Sequence, residues 1–288
     1  MIKLKKIPLA ISFALLTSFI SIPKADAYSD LSSALKKSIV LVLGPSGAGS
    51  GVVIGKRNDS YVMLTAKHVL GTQQDEHDVL LPDDTTSALK ILKIFPKKDL
   101  AVATFKSNFE FNTLPINSLL PYPAPNTAES RLYKEHKLRS EFDTVKNVGR
   151  VTGFSLPTNA VKIRLFRVID TSLVALIKDN LHGYNLLYQA STVPGMSGGA
   201  VVGFRDCTDD RRGFALTISA SYNFPTLVGI HGRSEDYHGQ GRSGISLGIP
   251  INGDLKKFLI DNSKKYGIPT GEDEIRSVVN NYYCFQKR

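Results

Sequence analysis

Pro194-Gly195-Met196-Ser197-Gly198-Gly199-Ala200-Val201-Val202 is the stretch that decides the fold, because it joins a glycine-rich turn to a strand-forming run. Glycine adopts backbone conformations that other residues avoid and lets a ligand approach the main chain closely. A serine hydroxyl becomes a nucleophile only when a base takes its proton and donors hold the resulting oxyanion. We expect the N–H groups of Gly195 and Ser197 to be those donors. A glycine-rich hairpin with an incidental serine is the alternative.

Two segments upstream carry the other groups that a reactive serine needs. Thr65-Ala66-Lys67-His68 places a histidine just past a strand-like run, and Asp99-Leu100-Ala101 places a carboxylate at the start of another. Histidine titrates near neutral pH, and a carboxylate can fix its tautomer and stabilise its protonated form. His68, Asp99 and Ser197 are therefore the candidate catalytic residues. Singly, His68 also fits a buried, hydrogen-bonded imidazole and Asp99 a strand-capping carboxylate.

Short apolar runs separated by turn signals predict an all-β chain. One set of runs fills residues 34–115, and a second set begins at Val148. The stretch between them is rich in proline and charge, which indicates a surface connection. Near the end, Leu255, Phe258 and Leu259 have helical spacing, and Gly267 has the place of a C-terminal cap. We expect one closing helix of about three turns there.

The first 27 residues have the form of an export signal. A positively charged head at residues 3–6 precedes an apolar run at residues 7–22, which is short for a membrane span. Ala25-Asp26-Ala27 follows as a small-x-small cleavage site. The pattern predicts cleavage after Ala27 and a secreted or periplasmic protein with no membrane span after cleavage.

Composition limits the range of possible functions and partners further. The formal net charge is +10, but the basic residues are scattered, with no stripe of interleaved aromatic residues, so we expect no nucleic-acid partner. No Cys/His cluster suggests zinc, and no metal site is predicted. In an exported chain Cys207 and Cys284 can form a disulfide, although two free thiols remain the alternative.

The three catalytic segments resemble those of the chymotrypsin-fold (trypsin-like) serine proteases of bacterial type. The order His, Asp, Ser and the spacing match that family, and Gly49-Ser50-Gly51-Val52 resembles its bacterial members. The resemblance covers roughly residues 34–262. It implies an all-β chymotrypsin-like fold of two six-stranded antiparallel β-barrels with a C-terminal helix. The implied divisions are a signal peptide at 1–27, an N-terminal barrel at 28–120, a linker at 121–147, a C-terminal barrel with its helix at 148–266 and a tail at 267–288.

The resemblance also implies roles. His68 becomes the general base, Asp99 its orienting acid and Ser197 the nucleophile, in a cleft between the two barrels. The Gly195 and Ser197 N–H groups form the oxyanion hole. The implied activity is hydrolysis of peptide bonds in proteins or peptides through an acyl-enzyme, and this chemistry requires no cofactor.

Four positions bear on specificity by the same resemblance. Val228-Gly229-Ile230-His231 is similar to a strand of bacterial glutamyl endopeptidases in which the histidine binds an acidic side chain, and Thr192 matches a pocket threonine of that group. Ser234 adds a further hydroxyl donor. Ser191 stands where trypsin-like enzymes carry an aspartate, so we expect little cleavage after arginine or lysine. The resemblance implies a preference for glutamate, and a hydrogen-bonded structural histidine near the cleft is the alternative for His231.

Two other functions fit parts of the sequence. Residues 195–199 also match the G-x-S-x-G pattern of serine esterases, which requires a helix directly after the serine and partners that follow it in the chain. A protease-like domain used for binding or adhesion is the second alternative. Residues 205–224 are expected to form a long hairpin insertion whose effect the pattern does not indicate.

Overall fold

A computed structural model describes residues 32–45, 47–71, 76–116, 148–155, 165–176, 181–206, 223–235 and 244–270. Within these ranges the strands form two antiparallel sheets. The first sheet contains β1 (Ile39–Gly44), β2 (Gly47–Arg57), β3 (Ser60–Thr65), β4 (Asp78–Leu80), β5 (Thr86–Ala88), β6 (Lys90–Ile94) and β7 (Ala101–Lys106). The second contains β8 (Val148–Ser155), β9 (Leu165–Leu176), β10 (Leu186–Gln189), β11 (Ala200–Asp206), β12 (Asn223–Glu235) and β13 (Ile245–Pro250). The helices are α1 (residues 32–36), α2 (Lys67–Leu70), α3 (Gly253–Asp261) and α4 (Ser263–Tyr266), with a 3-10 turn at Leu181–Gly183.

The N-terminal sheet has the strand order β5-β4-β1-β2-β3-β7-β6. Its strands alternate between two apolar clusters, because successive side chains of a strand point to opposite faces. Ile39 and Leu41 belong to the cluster that continues into the second sheet, whereas Val40 and Val42 belong to a cluster confined to the first. One face of this sheet therefore packs against the C-terminal half of the chain.

Seven strands form this sheet where the sequence predicts six. The additional strand is β5, which pairs with β4 at the sheet edge. Its residues Thr86, Ser87 and Ala88 carry no apolar alternation and are largely exposed, so no hydrophobic pattern marks them. The prediction of an all-β double-barrel fold is confirmed, with this difference in strand count.

The C-terminal sheet closes into a six-stranded barrel in the order β10-β13-β12-β11-β8-β9. β9 is a single strand of twelve residues. Residues 207–222 of the predicted hairpin insertion, which include Cys207, lie outside the described residues, as do Cys284 and the export signal.

The helices at residues 253–266 pack against a core that both sheets share. α3 buries Leu255 and Leu259, and α4 follows it directly after Asn262, so two short helices replace the single one predicted. Gly267 ends α4 in the left-handed conformation with φ +62°, as its position predicts. Beyond it the Lys56 N–H donates to the Gly267 carbonyl over 3.3 Å, and Ile268 is buried in the shared core. None of the helices in the described ranges has the length and apolarity needed to cross a lipid bilayer.

Candidate active site

His68 and Asp99 are brought together although 31 positions separate them. His68 lies in α2 directly after β3, and Asp99 lies in the turn before β7, which pairs with β3. The His68 backbone N–H donates to Asp99 Oδ1 over 2.8 Å, and the ring Nδ1 lies 2.5 Å from Asp99 Oδ2. A carboxylate can only accept, so Nδ1 carries the proton and Nε2 is left as the basic nitrogen.

Asp99 is ionised in an enclosed position. Its side chain is 9% exposed, against 48% for His68. Burial opposes ionisation, but the hydrogen bonds from His68 and from the Tyr184 hydroxyl outweigh it, so the pKa of Asp99 falls below its ordinary value. The Asp99 N–H donates to the His182 carbonyl over 2.8 Å, which ties its turn to the C-terminal half of the chain.

Ser197 lies in a tight turn, half-buried, before β11. Gly195 and Gly198 have φ angles of +91° and +86°, which favour glycine. The N–H groups of the turn that have acceptors are those of Met196 (Val193 carbonyl, 3.2 Å), Gly198 (His231 carbonyl, 2.8 Å) and Gly199 (Met196 carbonyl, 2.9 Å). Within the described part of the chain, the N–H groups of Gly195 and Ser197 donate to no acceptor.

Ser50 of β2 holds this turn from the N-terminal sheet. Its N–H donates to the Ser197 carbonyl over 2.7 Å, and its hydroxyl donates to the Gly195 carbonyl over 2.8 Å. The same hydroxyl accepts from the Phe154 N–H over 2.8 Å. One serine thus connects β2, the turn and β8.

The Ser197 turn lies directly against the segment that leads to His68. A Cβ atom on Gly198 would overlap the Ser50 carbonyl, the Thr65 hydroxyl and the Ala66 nitrogen, so only glycine allows this approach. Among the described residues, no hydrogen bond joins the Ser197 hydroxyl to the His68 ring. The structure therefore brings the two segments into contact without pairing these side chains.

Two of the predicted specificity residues meet. Thr192 Oγ1 lies 2.7 Å from Ser234 Oγ and 3.0 Å from Ser246 Oγ. The Ser246 hydroxyl, which is fully buried, donates to the Ala190 carbonyl over 2.9 Å. Ser191, the remaining candidate in this segment, is exposed.

His231 forms no hydrogen bond with the hydroxyls of Thr192 or Ser234 in the described ranges. Its ring is buried, with Nδ1 2.5 Å from the Tyr188 hydroxyl. Burial, together with the nearby charge of His68, lowers the pKa of His231 to about 3. The imidazole is therefore neutral at ordinary pH.

Sequence reasoning missed Tyr184, Tyr188 and Ser246. Tyr188 lies in a buried strand and Tyr184 just before it, and an aromatic residue at such a position is predicted to be part of the hydrophobic core. Ser246 follows no motif, and its contact with Thr192 depends on how β13 pairs with β10, the strand that ends three positions before Thr192. Ser50 stands in a motif that the sequence singles out, but its hydrogen bonds connect positions 104 and 145 residues away.

The esterase alternative is wrong on one structural point. It requires a helix directly after the serine, but β11 begins at Ala200, only three positions after Ser197. The candidate partners His68 and Asp99 also precede the serine in the chain.

Two antiparallel sheets with a histidine–carboxylate pair and a serine on a glycine-rich turn define the chymotrypsin-fold class. A family model described as a trypsin-like peptidase domain matches residues 49–206, more than half of the 288-residue chain. The chain therefore belongs to the trypsin-like peptidase family. A search of curated protein sequences found no match.

Proposed function

We propose that the chain is an exported serine endopeptidase in which Ser197 is the nucleophile, His68 the general base and Asp99 the group that orients His68. His68 Nε2 takes the Ser197 proton as the hydroxyl oxygen attacks the peptide carbonyl. The protonated imidazole then gives that proton to the leaving amine. Water hydrolyses the resulting acyl-enzyme by the same proton transfers in reverse order.

The observation that carries this proposal is the pair of unused N–H groups beside the serine. The oxyanion that forms during attack needs preorganised donors, and the N–H groups of Gly195 and Ser197 have no acceptor among the described residues. The missing hydrogen bond between Ser197 and His68 is compatible with the proposal, since such bonds often tighten only when substrate binds.

Casein hydrolysis by the purified protein tests the activity. We expect hydrolysis that a serine-directed phosphonate blocks and that Ser197→Ala reduces by about a thousandfold or more. Ser87→Ala removes a hydroxyl at the edge of the N-terminal sheet and should leave the rate unchanged. A protein that binds casein without cleaving it would instead support the binding or adhesion alternative.

For specificity we propose a preference for glutamate before the cleaved bond. Thr192 and Ser234 lie in hydrogen-bond contact, so the pair leaves at most one hydroxyl proton for a substrate carboxylate, and the neutral His231 supplies a second donor at Nε2 when Tyr188 donates to its Nδ1. Neutral O–H and N–H donors bind a carboxylate through charge-assisted hydrogen bonds, and they leave no unpaired cation in the site when no substrate is bound. No carboxylate at position 191 is present to attract arginine or lysine.

A peptide library with every residue before the cleaved bond tests this preference. Thr192→Val keeps the side-chain shape but removes the hydroxyl, so we expect kcat/KM for glutamyl peptides to fall about tenfold, with a smaller effect on glutaminyl peptides. Val193→Ala, at the exposed neighbouring position, is the matched control. Cleavage mainly after arginine or lysine would contradict the proposal.

We also propose that residues 1–27 direct export and are removed. The charged head, apolar run and cleavage site support this assignment. Sequencing of the exported protein should begin at Tyr28, and a protein that keeps Met1 would contradict it.

A further inference from the structure

Asp99 receives a hydrogen bond that neither His68 nor the backbone supplies. The Tyr184 hydroxyl donates to Asp99 Oδ2, the same oxygen that faces His68 Nδ1. Tyr184 is 5% exposed and lies 85 positions from Asp99. Because an ionised carboxylate can only accept, the phenol proton points at Asp99 and the direction of this bond is fixed.

A glycine in the strand beside the site leaves space for the Tyr184 ring. Gly232 follows His231 in β12, and a Cβ atom there would overlap the ring carbons of Tyr184. A side chain at position 232 and the observed ring position therefore exclude each other. Arg233 covers the ring from the same strand, with its guanidinium 5.1 Å from the ring centroid.

The charged and titratable groups around the phenol are few in the described ranges. Asp99 faces the hydroxyl, Arg233 lies over the ring, and His182 contacts the ring edge with the centroids 6.3 Å apart. His68 reaches the phenol only through their shared oxygen, Asp99 Oδ2. The hydroxyl thus has one acceptor among the described residues, and that acceptor is the carboxylate that orients His68.

We propose that Tyr184 is a positioning residue of the catalytic centre: its hydroxyl fixes the Asp99 carboxylate, and through it the orientation of His68, and Gly232 provides the space that this arrangement needs. The inference rests on the proposed serine endopeptidase function. With Oδ1 held by the His68 N–H and Oδ2 by the phenol, the carboxylate cannot rotate away from Nδ1. Tyr184 itself touches no reacting atom.

Tyr184→Phe tests the proposal, since it removes one oxygen and keeps the ring. Using the best-cleaved peptide of a fluorogenic library, we expect kcat to fall about tenfold with KM unchanged, because the lost bond acts on the orientation of His68 and not on substrate binding. Tyr61→Phe is the matched control: Tyr61 is a buried tyrosine whose hydroxyl donates to the Phe109 carbonyl over 2.9 Å, and it lies near the start of β3, whereas His68 follows the end of that strand. It should lower stability without changing kcat.

Gly232→Ala provides a second route to the same displacement. It forces the phenol away while keeping its hydroxyl, so we expect a similar loss of kcat, and little further loss when it is combined with Tyr184→Phe. Full additivity of the two losses would show that they act independently and would contradict the proposed pairing.

A spectroscopic measurement makes the test independent of activity. In the Ser197→Ala background, the NMR signal of the His68 Nδ1 proton should move on Tyr184→Phe and stay in place on Tyr61→Phe. An unmoved signal, or a Tyr184→Phe enzyme with unchanged kcat, would overturn the inference and leave the proposed function standing. Full activity of Ser197→Ala would instead overturn the proposed function.

Discussion

His231 shows at the scale of one residue how enclosure decides chemistry. Its backbone holds the two glycines that follow Ser197: the His231 carbonyl accepts from the Gly198 N–H, and the His231 N–H donates to the Gly199 carbonyl, each over 2.8 Å. Its ring is 2% exposed and pairs with Tyr188. A charged imidazole there would lose hydration without a carboxylate to compensate, so the neutral form persists in the folded protein far below neutral pH.

This enclosure predicts a loss of stability in mild acid. The pKa of His231 is about 3 in the folded protein and near 6.5 in an unfolded chain, so between these values the unfolded state binds an extra proton. The contribution is complete above about pH 6.5 and declines as the pH falls towards 3. We would measure the unfolding free energy by denaturant titration at pH 7 and at pH 4.5. Between these pH values it should fall less for His231→Gln than for the parent protein. For His182→Asn, which removes an exposed imidazole, it should fall as much as for the parent.

Gly198 gives a second prediction at this scale. Gly198→Ala combines a strained φ angle of +86° with overlap of the Ser50 carbonyl and the Ala66 nitrogen. Gly253→Ala meets the strain alone, since φ is +53° and nothing lies within 4 Å. We expect Gly253→Ala to lose about 1–2 kcal/mol of unfolding free energy. Gly198→Ala should lose more and also lose peptidase activity; equal losses would show that the close approach does not matter.

At the scale of elements, the closing helix supports the turn that carries Asp99. Phe258 of α3 meets Phe95 edge-on, with the ring centroids 6.1 Å apart, and Lys93 lies 4.7 Å from the Phe258 ring centroid. Lys98, next to Asp99, pairs with Asp254 at the start of the same helix over 2.5 Å. The helix therefore contacts the β6–β7 turn on both sides of its bend.

Removing one of these contacts should lower the stability of the fold. We expect Phe258→Ala to lower the unfolding free energy by about 2 kcal/mol, since a half-buried aromatic ring and its cation contact are lost. Ile260→Ala, at an exposed position of the same helix, should change it by less than about 1 kcal/mol. Thermal unfolding followed by circular dichroism checks both, and equal effects would argue against the packing role of Phe258.

The elements also show what sequence can predict here. The segments around His68, Asp99 and Ser197 are recognisable because each is a short local pattern at a strand end. The hydrogen bond from Tyr184 to Asp99 is not recognisable in the sequence, because the two residues lie 85 positions apart and no local pattern links them. β5 could not be predicted for a different reason. Backbone hydrogen bonds alone pair it with its neighbour, and its largely exposed side chains form no apolar pattern.

At the scale of the whole molecule, the candidate site depends on how the two sheets are joined. His68 and Asp99 lie next to strands of the first sheet and Ser197 lies next to a strand of the second, and Ser50 of the first sheet holds the Ser197 turn and β8 through the hydrogen bonds described above. The shared apolar core contains residues of both sheets, among them Leu41, Ile54, Val202 and Ile230.

Ser50→Ala should therefore weaken the contact between the two sheets more than it weakens either sheet. It leaves the Phe154 N–H without its hydroxyl acceptor and the Gly195 carbonyl without a donor, so we expect a loss of about 1–3 kcal/mol in unfolding free energy. Peptidase activity should fall as well, because Gly195 is no longer fixed. Ser87→Ala, which removes one exposed bond from the Lys106 N–H, is the control and should change neither quantity appreciably.

The buried Ile268 has a consequence for synthesis. This residue and the Gly267 carbonyl lie on the first sheet, yet the ribosome makes them more than 160 positions after the last strand of that sheet, Ala101–Lys106. A nascent chain that has already released His68 and Asp99 still lacks part of the core that surrounds them. The protein can therefore reach its final packing only as translation passes these late residues, which delays completion of the core around the candidate site until almost the whole described chain has emerged.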